Sequence, residues 1–464
     1  MKSITYTFLI LILSTACSSN RSPGQTIEPK PRSNMETNSI PTSVQFDASP
    51  TPTMTPIPTT KENRINSHAK IAFVGYENYL DPTHLDATAA QSGIYVLDLG
   101  SNQIKHLSSL IPYYGSQDGA FIWSPDAMNF AFLADSERIG IANPEKKVVG
   151  LWVANLETSE VNLVFPITNQ EEITNFKWSP DGSRLAFIYN NSTPQNYISE
   201  IIVINKDGSG RKPIHINIKN MGGGENLYWF PDGNRLAVTS LMGVGIITTL
   251  TKSGEPVIMQ YGSKNDHFQP FILSPKLNKV ILADGGYDKA RNLYMSNLDG
   301  TGFRKISNSP NYYFNPDWSS DGSRISVEFS KDLGLIYQQL GMMKPDDNDF
   351  LQLTKNTDSW FMDTSISPDG QRILVKEWVN DVNKNNHFWR IYMIGADGEL
   401  LYPNIVTDLK QFNEEPLFSW LPDVQVVLIT KNPPQFFNYQ TGELIDFFND
   451  MEVKFMSDLS LSPK

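Results

Sequence analysis

Five polar residues, Asn175, Asn226, Asn315, Asp363 and Asp458, each stand three positions before an apolar anchor: Trp178, Trp229, Trp318, Ile366 and Leu461. On an alternating strand an odd offset turns them to the face opposite the anchor. With the anchors buried, these amides and carboxylates gather towards a shared axis, as a ring suited to a cation, a buried water cluster or a charged peptide end, or as a set that hydrates a narrow channel. A second set is aromatic. Tyr113, Tyr114, Tyr261, Phe268, Tyr312, Tyr313, Trp360 and Phe361 lie between the repeated units, where rings can stack on sugars, hold peptide side chains or wedge between neighbouring units.

Other chemistries are poorly provided for. The six histidines, His68, His84, His106, His215, His267 and His387, are scattered through several units without paired spacing, and the chain has one cysteine, so no zinc motif is present. Asp346-Asp347-Asn348-Asp349 lacks the spaced glycine and closing glutamate of a calcium loop. No G-x-S-x-G elbow occurs to present a serine nucleophile. No cofactor is expected. Thirty-eight Lys and Arg against 50 Asp and Glu give a formal charge of −12, which repels a phosphate backbone and argues against nucleic acid.

The elements that must position these residues are short strands. In Trp178-Ser179-Pro180-Asp181-Gly182, Pro180 and Asp181 suit the two central positions of a type I turn and Gly182 the left-handed residue after it. Such a turn closes a hairpin and sets its register. Related anchors at 123, 178, 229, 273, 318, 366, 420 and 461 are 41 to 55 residues apart. A second turn, as in Asp207-Gly208, Asp299-Gly300 and Asp397-Gly398, completes a four-stranded unit. Units of this length made only of strands predict a single all-β propeller.

The strand after the turn recurs eight times, at 70–74, 129–133, 184–188, 235–239, 279–283, 324–329, 372–376 and 425–430. The first copy lacks an innermost strand, and residues 453–461 form an orphan one. The expectation is therefore eight four-stranded blades, with seven as the alternative, closed by the C-terminal strand joining the first blade. Tight turns occupy one side of the ring. The other side should carry long loops at 75–92, 135–150, 189–199 and 377–387, and long connections on a rigid frame are where binding resides.

At Asn315-Pro316-Asp317-Trp318-Ser319-Ser320-Asp321-Gly322-Ser323-Arg324, with siblings at Trp178 and Ile366, the repeat resembles that of TolB-type propellers, shared with propeller domains of prolyl oligopeptidases and dipeptidyl peptidases. The resemblance covers nearly all of residues 65–464. It implies architecture rather than activity, because one fold hosts many functions. The peptidases carry their nucleophile on a separate hydrolase domain, for which no length remains here.

The N-terminus supplies a location. Lys2 precedes an apolar run at 4–13, and Ser14, Thr15 and Ala16 lead to Cys17; the run is too short to span a bilayer and reads as a signal over 1–16. The arrangement resembles a bacterial lipoprotein signal, with Ser14 where that family usually has Leu, and implies lipidation of Cys17. Residues 17–63 then form a disordered stalk, about half Ser, Thr or Pro from 18 onward, holding the 64–464 ring roughly 35 to 40 Å from its anchor. The expected protein is a monomeric, membrane-tethered, non-catalytic propeller that binds a protein, peptide or glycan of the cell envelope. The alternative is an extracytoplasmic carbohydrate lyase or hydrolase with its site at the central channel.

Overall fold

The anchor turn builds the architecture from the bottom. The computed structural model describes Thr55–Pro56 and, within residues 65–461, the strands and many of the tight turns joining them. Gly182 donates its N–H to the Ser179 carbonyl at 2.9 Å with φ at +67°. The Ser179 hydroxyl donates to Asp181 Oδ1 at 2.5 Å and accepts the Arg184 N–H at 2.9 Å. That hydroxyl bond outweighs burial and holds the Asp181 carboxyl down at about 2, so the turn keeps its acceptor at neutral pH. Ser319 with Asp321 and Ser367 with Asp369 repeat the bond. Ser124 with Asp126 does too, but there the left-handed position falls to Ala127, at φ +56°.

Each turn joins the two inner strands of an antiparallel meander, and eight sheets follow in chain order. The first is built on Lys70–Glu77; the second spans 122–167, the third 171–214, the fourth 226–260, the fifth 268–305, the sixth 312–352, the seventh 359–409 and the eighth 418–445. A sheet apolar on both faces must be covered on both. Leu133 and Phe165 of the second sheet therefore pack on Phe176 and Phe187 of the third, and Leu340 and Met342 of the sixth on Val375 and Tyr392 of the seventh. Eight such clusters link successive sheets, and one of them sets Leu428 and Phe436 of the eighth against Ile71 and Leu97 of the first. The protein is a single all-β propeller.

Closure is a non-covalent pairing of the first and last strands of the repeats. Val453–Leu461 pairs antiparallel with Lys70–Glu77, Leu461 opposite Ile71 and Val453 opposite Glu77, and supplies the innermost strand of the first sheet. That sheet differs from expectation in having five strands. Thr55–Pro56, placed by sequence in the stalk, adds to its outer edge with Thr55 opposite Ile104. Proline is tolerated there because an edge strand can leave a donor unmade.

The anchor tryptophans do more than fill space. Trp178 Nε1 donates to the Ile122 carbonyl at 2.8 Å, Trp229 Nε1 to Lys177 at 3.1 Å and Trp123 Nε1 to Ser460 at 3.2 Å. Trp420 Nε1 reaches the Ser365 hydroxyl at 3.0 Å. Every acceptor is the residue just before the anchor of the preceding sheet, so one side chain both buries its ring and bonds the next sheet.

Two outcomes are expected. Ala127→Gly should raise stability by about 0.5 to 1 kcal/mol, because relief of the left-handed Cβ clash exceeds glycine's entropy cost; an unchanged or lowered urea midpoint would count against a strained turn. Deleting residues 453–464 should abolish the cooperative urea transition, since the first sheet loses its innermost strand. A truncated chain that still unfolds in one sharp step would contradict closure by the C-terminal strand.

Candidate functional site

In each sheet the innermost strand starts on the side where successive sheets are connected and ends at the anchor turn. The second strand returns to that side. The starts of first strands and the far ends of second strands therefore meet around one mouth of the ring, and two sheets stand taller there. Counted from the residue opposite the anchor, the second strand continues from 185 to 193 in the third sheet and from 373 to 381 in the seventh, against 71 to 77 in the first. Among the described residues that is roughly 7 Å of extra height at about 3.4 Å per residue.

These ribbons correct an expectation. Residues 189–199 and 377–387 were expected as loops, yet Arg184–Thr193 pairs with Asn196–Asn205, and Arg372–Asp381 with Asn386–Gly395, down to short tips. Cross-strand side chains zip them. Ser199 Oγ donates to Asn190 Oδ1 at 2.7 Å, and the rings of Trp378 and Trp389 lie 4.9 Å apart at 60°, the kind of directly opposed pair that stabilises a ladder.

On the third sheet, Glu171 opens the innermost strand and meets the ribbon. Tyr189 donates its hydroxyl to Glu171 Oε1, Asn191 Nδ2 donates to the same oxygen at 3.4 Å, and the Thr168 N–H reaches Oε2 at 2.7 Å. Burial pushes the Glu171 carboxyl up, but these hydrogen bonds and Arg211 leave it below its usual range. Burial and the bond to Glu171 push the Tyr189 phenol up to about 12. Arg211 lies 4.7 Å over Phe165 of the second sheet and 6.0 Å over Tyr189. With its amide hydrogens turned to Glu171, Asn191 leaves Oδ1 buried and without a hydrogen-bond partner.

The seventh sheet holds charge in its interior. Glu377, fully buried, accepts the Arg390 Nε–H at 2.9 Å from the directly opposite residue, and Nη2 reaches the same oxygen. The guanidinium also lies 4.9 Å over the Tyr392 ring, whose phenol is pushed up by burial and by Glu377. Lys376, also buried, sets Nζ 5.5 Å from the centre of the Trp389 ring. The Trp389 indole N–H is buried with no acceptor.

The structure distributes the residues expected from sequence unevenly. Tyr313, expected on the binding rim, is fully buried between the fifth and sixth sheets against Phe350, its ring centre 5.8 Å away at 84°. The correction follows from the pleat: Tyr313 sits opposite Phe329 on a core-facing row, and only its neighbour Tyr312, opposite Ser330, is half-exposed. Phe268, Trp360 and Phe361 lie on first strands of the fifth and seventh sheets; register sets Trp360 opposite Trp378 and Phe361 opposite Glu377. Tyr113, Tyr114, Tyr261 and Cys17 lie outside the described residues.

The polar set coincides with an irregularity that simple alternation misses. In the third sheet Asn175 and Phe176 together face Phe187, in the sixth Asn315 and Pro316 face Val327, and in the first Asp458 and Leu459 face Phe73. These are bulges at one level of three innermost strands, and a bulge re-aims the side chains around it. Asn175 is buried and takes φ +49°, a left-handed angle that asparagine tolerates better than most residues. Asp363 stands opposite Lys376, and Asn226 opposite Thr239.

Sequence reasoning missed Glu171, Tyr189, Asn191, Glu377 and Arg390. Apolar alternation stops at Ile188 and Val375, and the only signal beyond them was the strand-prone Tyr189 and Thr193 on one side and Trp378 and Val379 on the other.

These features define a β-propeller with a built-up mouth, and comparison places it among known folds. No family model matches the chain, and no curated protein does. Among solved structures 1169 chains match, as a widely shared fold would. A prolyl endopeptidase studied for inter-domain dynamics aligns at TM-score 0.50 and 13% identity, over 72% of this chain and 48% of that one. The chain thus spans about half of that enzyme's length. The β-propeller domain of the Trilobed protease from Pyrococcus furiosus aligns at 0.43 and 17%, over 75% and 96%. A putative TolB from Agrobacterium tumefaciens aligns at 0.32 and 18%, over 55% and 85%. At these identities the likeness is one of fold.

Arg390→Met should destabilise the protein by about 3 to 5 kcal/mol, because it leaves Glu377 buried without its guanidinium. The double variant Glu377→Leu/Arg390→Met should recover most of that loss in urea unfolding. A single variant as stable as the wild type would show that the pair is not needed to hold the ribbon.

Proposed function

We propose that this protein is an eight-bladed, lipid-anchored propeller outside the cytoplasm that recognises an envelope protein, peptide or glycan at the mouth built up by its third and seventh sheets. The observation that carries the non-catalytic reading is the state of the ionisable groups described there. Glu171 is held below the usual carboxylate range and Tyr189 at about 12, so each keeps its ordinary charge near neutrality. General acid–base catalysis calls for groups whose pKa lies near the working pH; a carboxylate and a neutral phenol locked to each other by a hydrogen bond suit recognition.

The blade count is supported by eight sheets and eight inter-sheet clusters, and the tether by the signal-like segment, Cys17 and the Ser/Thr/Pro-rich stretch. Asn175, Asn315 and Asp458 sit at bulges of innermost strands, the strands nearest the channel in this reading, and the half-exposed Tyr312 adds an aromatic edge.

Affinity capture from envelope extract with the wild type and a Tyr189→Phe/Asn191→Ala/Tyr312→Ala variant tests the mouth. Saturable capture lost in the variant is expected, and equal capture by both would overturn the assignment. Cys17→Ser should release the ring from the membrane fraction in the producing bacterium. A protein that stays membrane-bound after that change would refute the lipid anchor.

A further inference from the structure

The first sheet is completed on both sides by residues from outside its own repeat. Val453–Leu461 forms its innermost strand, and Thr55–Pro56 lies beyond its outermost one, Gln103–Ser108. Among the described residues no other sheet carries a fifth strand.

The ladder itself shows why Thr55 pairs there. In antiparallel strands a residue turns its N–H and carbonyl to one neighbour, and the next residue turns its own to the other. Leu99 donates its N–H to the Ala69 carbonyl at 3.1 Å, which directs Leu99 and Leu97 inward to Lys70–Glu77 and Asp98 outward to Gln103, the residue opposite it. Gln103 is thereby engaged inward. The Ile104 N–H and carbonyl then face out, with Thr55 directly opposite. Pro56, opposite Gln103, falls where the pairing requires no N–H.

The sequence around Thr55 fits this edge and closes it. Prolines stand at 50, 52, 56 and 58, all even positions, and Thr51, Thr53 and Thr55 hold odd ones. A strand written this way keeps its N–H groups on one edge and lacks most of them on the other. It can add to a sheet and offers little for a further strand to add to. Proline also narrows the conformations of the free segment, which lowers the entropy lost when it is laid down. The connection is long enough as well. Eight residues lie between Pro56 and Ile65, which is buried between the first and eighth sheets, and they extend to roughly 26 Å. The added strand stands three strand spacings from Lys70–Glu77, about 14 Å.

We infer that the Thr/Pro-rich segment is a strap: Thr55 exchanges backbone hydrogen bonds with Ile104 and fastens the segment to the flank of the first sheet. Gln103–Ser108 runs from the second turn towards the mouth, so Thr55–Pro56, antiparallel to it, enters from the mouth side and leaves on the turn side. If the chain is tethered at Cys17, a reading the strap itself does not need, a pull on the tether is met first at the outer edge of the sheet. The pairing that closes the ring lies at the inner edge of the same sheet and is spared that load.

The test uses the full chain with Cys17→Ser, which removes its single cysteine and makes the result independent of membrane attachment. Pro56→Cys/Gln103→Cys puts thiols at directly opposed positions, whose spacing suits a disulfide. Under mild oxidation this pair should lose both thiols within a monomer. The comparison pair Pro56→Cys/Lys212→Cys, with its second thiol on the outer strand of the third sheet, should stay reduced. In Thr55→Pro, which removes the N–H of the strap, hydrogen exchange at the Ile104 amide should quicken roughly two- to tenfold, the worth of one neutral hydrogen bond, while the Leu97 amide on the next strand is unmoved. Equal crosslinking of the two pairs, disulfides formed only between molecules, or an Ile104 amide that exchanges alike with Thr55 and with proline there would each overturn the strap.

Discussion

A sheet with two apolar faces cannot rest beside only one neighbour, and the whole structure follows from that constraint. Ile71, Leu133, Leu185, Leu282, Val327 and Val427 each sit fully or almost fully buried on second strands that face a neighbouring sheet on both sides. A row of such sheets leaves two uncovered faces at its ends, and curving the row into a ring removes both. The pairing of Val453–Leu461 with Lys70–Glu77 makes the ring hard to open, because it joins the two ends of the chain by a ladder of backbone hydrogen bonds. Apolar contact between the eighth and first sheets then completes the circle.

The anchor tryptophans show how packing and hydrogen bonding share one residue. An indole buried between sheets needs a partner for its N–H, and the carbonyl one residue before the preceding anchor supplies it at Trp123, Trp178 and Trp229. At Trp420 the Ser365 hydroxyl serves instead. The repeat is thus a device for fixing the height of one sheet against the next. Beyond that common height the third and seventh sheets continue as paired ribbons, the longest second strands among the described residues.

Much of this was legible in the sequence. The eight second strands, the anchor turns and the orphan C-terminal strand were all readable, because each rests on interactions within a few residues: Ser179 with Asp181 and Arg184, or a glycine at positive φ. The site was less so. Tyr312 and Tyr313 are neighbours of the same type, and only the pleat of Tyr312–Trp318 against Ile325–Ser330 puts one in the core and leaves the other half-exposed. Asn175 and Asn315 stood out by spacing, but the bulges beneath them break the alternation used to aim them. Glu377 and Arg390 are 13 positions apart and become partners only because the hairpin between them is fully paired.

Sequence alone determined the kind of unit and the means of closure, since turn chemistry and apolar alternation act locally and repeat. Tertiary structure decided which sheets rise, which polar atoms they leave unsatisfied and which rows face which neighbour. Those depend on cross-strand register and on the order of sheets around a circle, quantities that no short stretch of residues contains.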